Sequence, residues 1–81
     1  MNTMQNINWE LLKDKLQNCW NENNSYVREF KMRNGNIILV TKYTHTGFKL
    51  IVTNYQGITV YEPIVNGPEE CYNTIYSLVN K

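Results

Sequence analysis

Three turn signals divide the stretch from Tyr26 to Pro63 at short intervals: Asn34-Gly35, Thr44-His45-Thr46-Gly47 and Tyr55-Gln56-Gly57. Between them lie short runs rich in Val, Ile, Thr, Tyr and Phe, the composition of strands. Connections of two to four residues can join antiparallel neighbours only, because a parallel crossover needs a dozen residues or more. The spacing therefore predicts four consecutive strands in an antiparallel meander, ordered 1-2-3-4.

The turns also predict registers. Asn-Gly is the strongest short hairpin signal, since a type I′ turn needs positive φ at both central residues. Read as a two-residue turn, Asn34-Gly35 pairs Arg33 with Asn36, Met32 with Ile37, Phe30 with Leu39 and Tyr26 with Tyr43. A four-residue second loop pairs Tyr43 with Phe48 and Leu39 with Val52. A three-residue third loop, with Gly57 in the left-handed bulge position, sets Asn54 opposite Ile58 and Val52 opposite Val60. One face then carries Tyr26, Phe30, Met32, Ile37, Leu39 and Tyr43, continued by Phe48, Leu50, Val52, Ile58 and Val60. That face is apolar throughout and is expected to form the core.

A helical pattern flanks the strands on each side. Trp9, Leu12, Leu16, Cys19 and Trp20 recur at spacings of three and four, which predicts a helix from Trp9 to about Asn21. Asn8 suits its N-cap, and Glu10 places a carboxylate where the helix dipole favours it. The Asn-rich run 21–25 ends it. Pro63 is expected to stop the fourth strand. The second helix begins near Pro68, with Asn66 or Gly67 as cap, Glu69 and Glu70 in its first turn, and Cys71, Tyr72, Ile75, Leu78 and Val79 as its stripe. The expected fold is a single α+β domain over 1–81, αββββα, in two layers with both helices on one sheet face and residues 1–6 frayed. One helix on each face is the competing arrangement.

Composition narrows the function. Eighty-one residues with a net charge of +1 do not describe a chain built to neutralise many phosphates. The longest apolar run, Ile37 to Val40, cannot span a bilayer. The N-terminus has no basic stretch followed by an apolar one, so a cytoplasmic protein without membrane association is expected. The chain has no alanine and many asparagines, which suggests an AT-rich genome such as that of a low-GC bacterium, phage or plasmid. The two cysteines, Cys19 and Cys71, read as small buried apolar residues; whether they lie close together is left open by the sequence.

No catalytic constellation is visible. His45, the only histidine, falls in a turn without a nucleophile or base beside it. No metal-ligand spacing occurs, and the glycines are isolated turn and cap residues, so no cofactor, metal or enzymatic activity is expected. The sheet face opposite the core is more suggestive. The registers give it an apolar centre of Ile38, Val40, Ile51 and Tyr61 and a basic rim of Lys31, Arg33, Lys42 and Lys49. An apolar centre inside a charged rim is the anatomy of a protein interface. The expected function is a small non-enzymatic protein-interaction module, of a regulatory, accessory or inhibitor kind, with an unidentified protein partner. The same face would also serve to close a homodimer. The alternative is weak single-stranded nucleic-acid binding on the basic rim, which Tyr61 and the nearby Tyr55 support only thinly.

Overall fold

Two amphipathic helices laid against one side of an antiparallel sheet enclose a single apolar cluster in the computed structural model, which describes residues 7–43 and 47–81. The expected fraying of residues 1–6, and the Thr44-His45-Thr46 part of the second turn, lie outside the described residues. The order is α1 (Trp9–Glu22), β1 (Tyr26–Lys31), β2 (Ile37–Lys42), β3 (Phe48–Thr53), β4 (Thr59–Tyr61), β5 (Ile64–Val65) and α2 (Pro68–Val79). Strands β1 to β4 form the meander in sequence order, all antiparallel, and β5 returns to pair with β3.

Each helix forms where its caps allow. The Asn8 side chain accepts the Leu11 N–H at 3.0 Å, closing the first turn of α1. At the other end Asn23 adopts the left-handed conformation (φ 58°), which asparagine tolerates better than other side chains that carry a Cβ. The Asn24 N–H then reaches back to the Cys19 carbonyl at 3.0 Å. Pro68 opens α2 where its missing N–H costs nothing. Leu12, Leu16 and Cys19 from α1 and Cys71 and Ile75 from α2 are buried against Phe30, Met32, Phe48, Leu50, Val52 and Val65. At the seam of the two helices the Trp9 ring meets Tyr76 edge-on with centroids 4.9 Å apart. Trp20 lies over Phe48 at 6.1 Å.

The fourth strand ends at Tyr61, before Pro63 as expected, but the chain pairs with β3 again beyond the proline. Proline cannot donate to a ladder, but on an edge strand it has only to accept. The Pro63 carbonyl takes the Leu50 N–H at 3.0 Å, and the chain continues as β5, with Val65 opposite Phe48 and buried in the core. Here the backbone passes close to Gly47: a Cβ on Gly47 would lie 2.5 Å from the Val65 carbonyl oxygen. Glycine at 47 is thus a condition for β5 to dock. Among the described residues no helix is long and apolar enough to cross a membrane.

Candidate functional site

The outer face of the sheet is decided by the first hairpin. A type I′ turn at Asn34-Gly35 would need Asn34 in the left-handed region, but only Gly35 is there (φ 93°), and Asn23 is the one non-glycine with positive φ among the described residues. Instead the Met32 N–H donates to the Asn36 carbonyl at 2.8 Å and the Gly35 N–H to the Met32 carbonyl at 3.0 Å. The turn therefore has three residues, Arg33-Asn34-Gly35, with Gly35 in the bulge position. The Asn34 Oδ1 accepts the Asn36 N–H at 2.9 Å and braces it.

That extra turn residue moves the pairing by one. Phe30 faces Ile38 rather than Leu39, and Lys42 rather than Tyr43 faces Phe48. A slip of one residue turns a strand over, so β2 presents to the core the side chains expected outside. Ile38 and Val40 are 0 % exposed and Lys42 is 2 % exposed. These three expected contact residues are core residues, and Ile37 and Leu39, expected inside, point outward. Tyr43 leaves the sheet and is exposed. Arg33 sits in the turn rather than on the sheet. Tyr61 also changes sides: a bulge between Val52 and Thr53 sets it opposite the inward-facing Val52. Of the expected site, Lys31, Lys49 and Ile51 stand on the outer face.

The observed outer face reads as three rows across the strands: Val27, Thr41, Lys49 and Ile64; Glu29, Leu39 and Ile51; Lys31, Ile37, Thr53 and Thr59. Five of these side chains are large and apolar. Val27 is 73 % and Ile64 68 % exposed, while Ile37, Leu39 and Ile51 are shielded only in part by their neighbours. Lys49 bonds Glu62 at 2.8 Å, and that hydrogen bond and the carboxylate's charge raise the Lys49 pKa. The sequence signal for this face was the Ile37-Ile38-Leu39-Val40 run, which supplies apolar side chains to both sides of β2.

Lys42 is held by acceptors rather than by a carboxylate. Its Nζ donates to the Asn24 and Tyr43 carbonyls, each at 3.2 Å, and to the Asn23 Oδ1 at 3.5 Å. It also lies 5.9 Å from the centroid of the Trp20 ring, within cation–π range. The ammonium thus ties the end of α1 to β2, and charge-assisted bonds of this kind are the stronger class.

On the core side, α2 and β4 line an open cleft of about 590 Å³. Met32, Val52 and Leu78 supply apolar lining, with Val60, Tyr61 and Ser77 among its other residues. Neither cleft nor face assembles reactive groups. Among the described residues no three His, Cys, Asp or Glu side chains gather as metal ligands. Burial pushes the Cys71 thiol up to about 12, so at neutral pH it holds almost no nucleophilic thiolate.

No family model, no curated protein and no solved structure matches this chain.

Proposed function

We propose that the chain is a non-catalytic, cytoplasmic protein-interaction module that binds a protein partner through the outer face of its sheet. The contact centre is Leu39 and Ile51, which lie directly opposite each other, extended by Val27, Ile37 and Ile64, with Lys31 and Lys49 at its sides. The observation that supports this reading is that, among the described residues, no element covers this face. A sheet face this apolar is ordinarily buried against another element, and both helices of this chain lie on the other side. Single-stranded nucleic-acid binding is the weaker reading of the same face, because Tyr61 has moved off it and, among the described residues, no aromatic ring remains there for bases to stack on.

The test is affinity capture with the tagged chain from a lysate of its source organism, with and without nuclease. It compares the parent with Leu39→Asp and with Lys31→Glu/Lys49→Glu. The expected result is a discrete protein partner that survives nuclease and is lost with Leu39→Asp. Recovery of nucleic acid, steeply salt-dependent and lost on charge reversal, would overturn the proposal in favour of the second reading.

A further inference from the structure

The two edges of the sheet are finished differently. The β1 edge carries Arg28, Glu29 and Lys31 among its exposed residues, and charges of this kind keep strand edges from pairing with other chains. The edge formed by Ile58 and β4 has no charge from Gly57 to Tyr61, and Ile58, Val60 and Tyr61 are each more than half exposed. Glu62, the next residue along, is already engaged by Lys49.

The backbone of this edge is also poised to bond outward. The Ile58 carbonyl faces β3, where it accepts the Asn54 N–H at 3.0 Å. In a trans peptide the N–H lies opposite the carbonyl, so the Thr59 N–H of the same peptide unit points away from β3. The Thr59–Thr53 pair is therefore a non-hydrogen-bonded pair, and both backbone groups of Thr59 are directed out of the sheet. Water satisfies these groups in the free chain, and a donor and an acceptor presented side by side in this way also form a template for another extended strand.

We infer that this strand is β4 of a second copy of the chain, paired antiparallel about a two-fold axis at Thr59. In that register Thr59 faces its symmetry mate and the two exchange N–H···O=C bonds, with both threonine side chains on the outer face. Val60 of each copy then faces Ile58 of the other on the core side, at the mouth of the cleft that Val60 lines. The register is neutral and self-complementary, as a two-fold contact requires. The bulge at Val52/Thr53 and Pro63 confine the pairing to a short stretch, so the dimer dissociates on dilution. This inference concerns the edge and makes no use of the outer face.

Sedimentation velocity over a concentration series, with amide hydrogen exchange of Thr59 at each concentration, tests it. The full chain is expected to dimerise reversibly, with Thr59 exchange slowing as dimer forms. Thr59→Pro removes the outward N–H without removing a bond to β3. Val60→Lys places like charges across the axis. Each should weaken association by roughly tenfold or more while the far-UV circular dichroism stays native. Ile51→Asp, on the outer face, should leave the dimer intact. A monomer at every concentration with rapid Thr59 exchange would overturn self-pairing and leave the edge to a foreign strand. A dimer lost with Ile51→Asp but kept in both edge variants would overturn it in favour of a face-to-face assembly.

Discussion

The two sides of β2 are nearly alike in chemistry and opposite in fate. Ile38 and Val40 point into the core and are fully enclosed, while Ile37 and Leu39 point outward and are shielded only by their neighbours. The third pair reverses what polarity alone suggests, since Lys42 is inside and Thr41 outside. Apolar character therefore did not choose the face of this strand. The choice follows from a turn that adds one residue and from two helices that cover one side only. A lysine is accommodated in the interior because the Asn24 carbonyl and the Asn23 Oδ1 after α1, with the Tyr43 carbonyl, accept from it.

The sharpest test of that contrast is a pair of truncations at adjacent positions. Ile38→Ala removes a fully enclosed side chain and should cost about 2–5 kcal/mol in chemical denaturation, the range for a large-to-small change in a packed core. Leu39→Ala should cost about 1 kcal/mol or less, because most of what it loses is strand propensity and same-face packing. Equal losses at the two positions would mean that something covers the outer face in solution, and the contrast would fail.

Lysines on the two sides of the sheet should differ in the same sense. Lys42→Ala strands the Asn24 and Tyr43 carbonyls and leaves a void beneath Trp20, at an expected cost of about 1.5–3 kcal/mol. Lys49→Ala breaks only the exposed bond to Glu62 and should produce no measurable change in stability. Thermal unfolding of the two variants side by side decides the point. A harmless Lys42→Ala would show that the ammonium is not what ties α1 to β2.

Raising the pH probes the same enclosed layer. Burial, more than the nearby Cys19 and Glu70, raises the Cys71 thiol from its ordinary 9.0 to about 12, and desolvation likewise raises the Tyr26 phenol. Below pH 9 the Cys71 thiol is neutral in both folded and unfolded chains and the stability it is linked to is fully present. Between pH 9 and 12 the unfolded chain releases the proton and the native one retains it. Stability should then fall by up to ~1.4 kcal/mol per pH unit from this group. In Cys71→Ala the denaturation midpoint should depend less steeply on pH in that window, although the variant is weaker at neutral pH. An unchanged slope would show that the thiol is not enclosed as described.

Much of this fold was legible because separate signals agreed. Asn8, Pro68 and the helical stripes bounded both helices within a residue or two, and Tyr55-Gln56-Gly57 specified the third turn as found, with Gly57 at positive φ (81°), although beyond it Val52 faces Tyr61 rather than the expected Val60. The first hairpin was not legible from Asn34-Gly35, because that dipeptide suits a two-residue turn and a three-residue turn equally, and both place glycine in the left-handed region. Ordinarily the hydrophobic pattern arbitrates between registers, but with Ile37 and Leu39 on one side and Ile38 and Val40 on the other it had nothing to choose between. Lys42 pulled the reading the wrong way, since a buried lysine is intelligible only once Asn23, Asn24 and Tyr43 are seen around it. The candidate site inherited that error in Ile38, Val40 and Lys42. The Tyr61 error came from the β4 bulge, for which the sequence carries no distinct residue signal.

The smallest expected effect bears on the turn itself. Deleting Arg33 leaves Asn34-Gly35 as the only residues between Met32 and Asn36, which is a two-residue loop with the favoured type I′ sequence. Because Met32 already pairs with Asn36 across the three-residue turn, the shorter loop closes on the same pair. The register of β1 and β2 is then preserved and the stability should change by no more than about 1 kcal/mol. Cross-strand contacts in nuclear magnetic resonance spectra would show Phe30 still facing Ile38. If the deletion instead brought Phe30 opposite Leu39, turn length would outweigh the packing of the two helices in choosing the face of β2. Ile38, Val40 and Lys42 would then lie on the outside, and a single deletion would have turned the strand over.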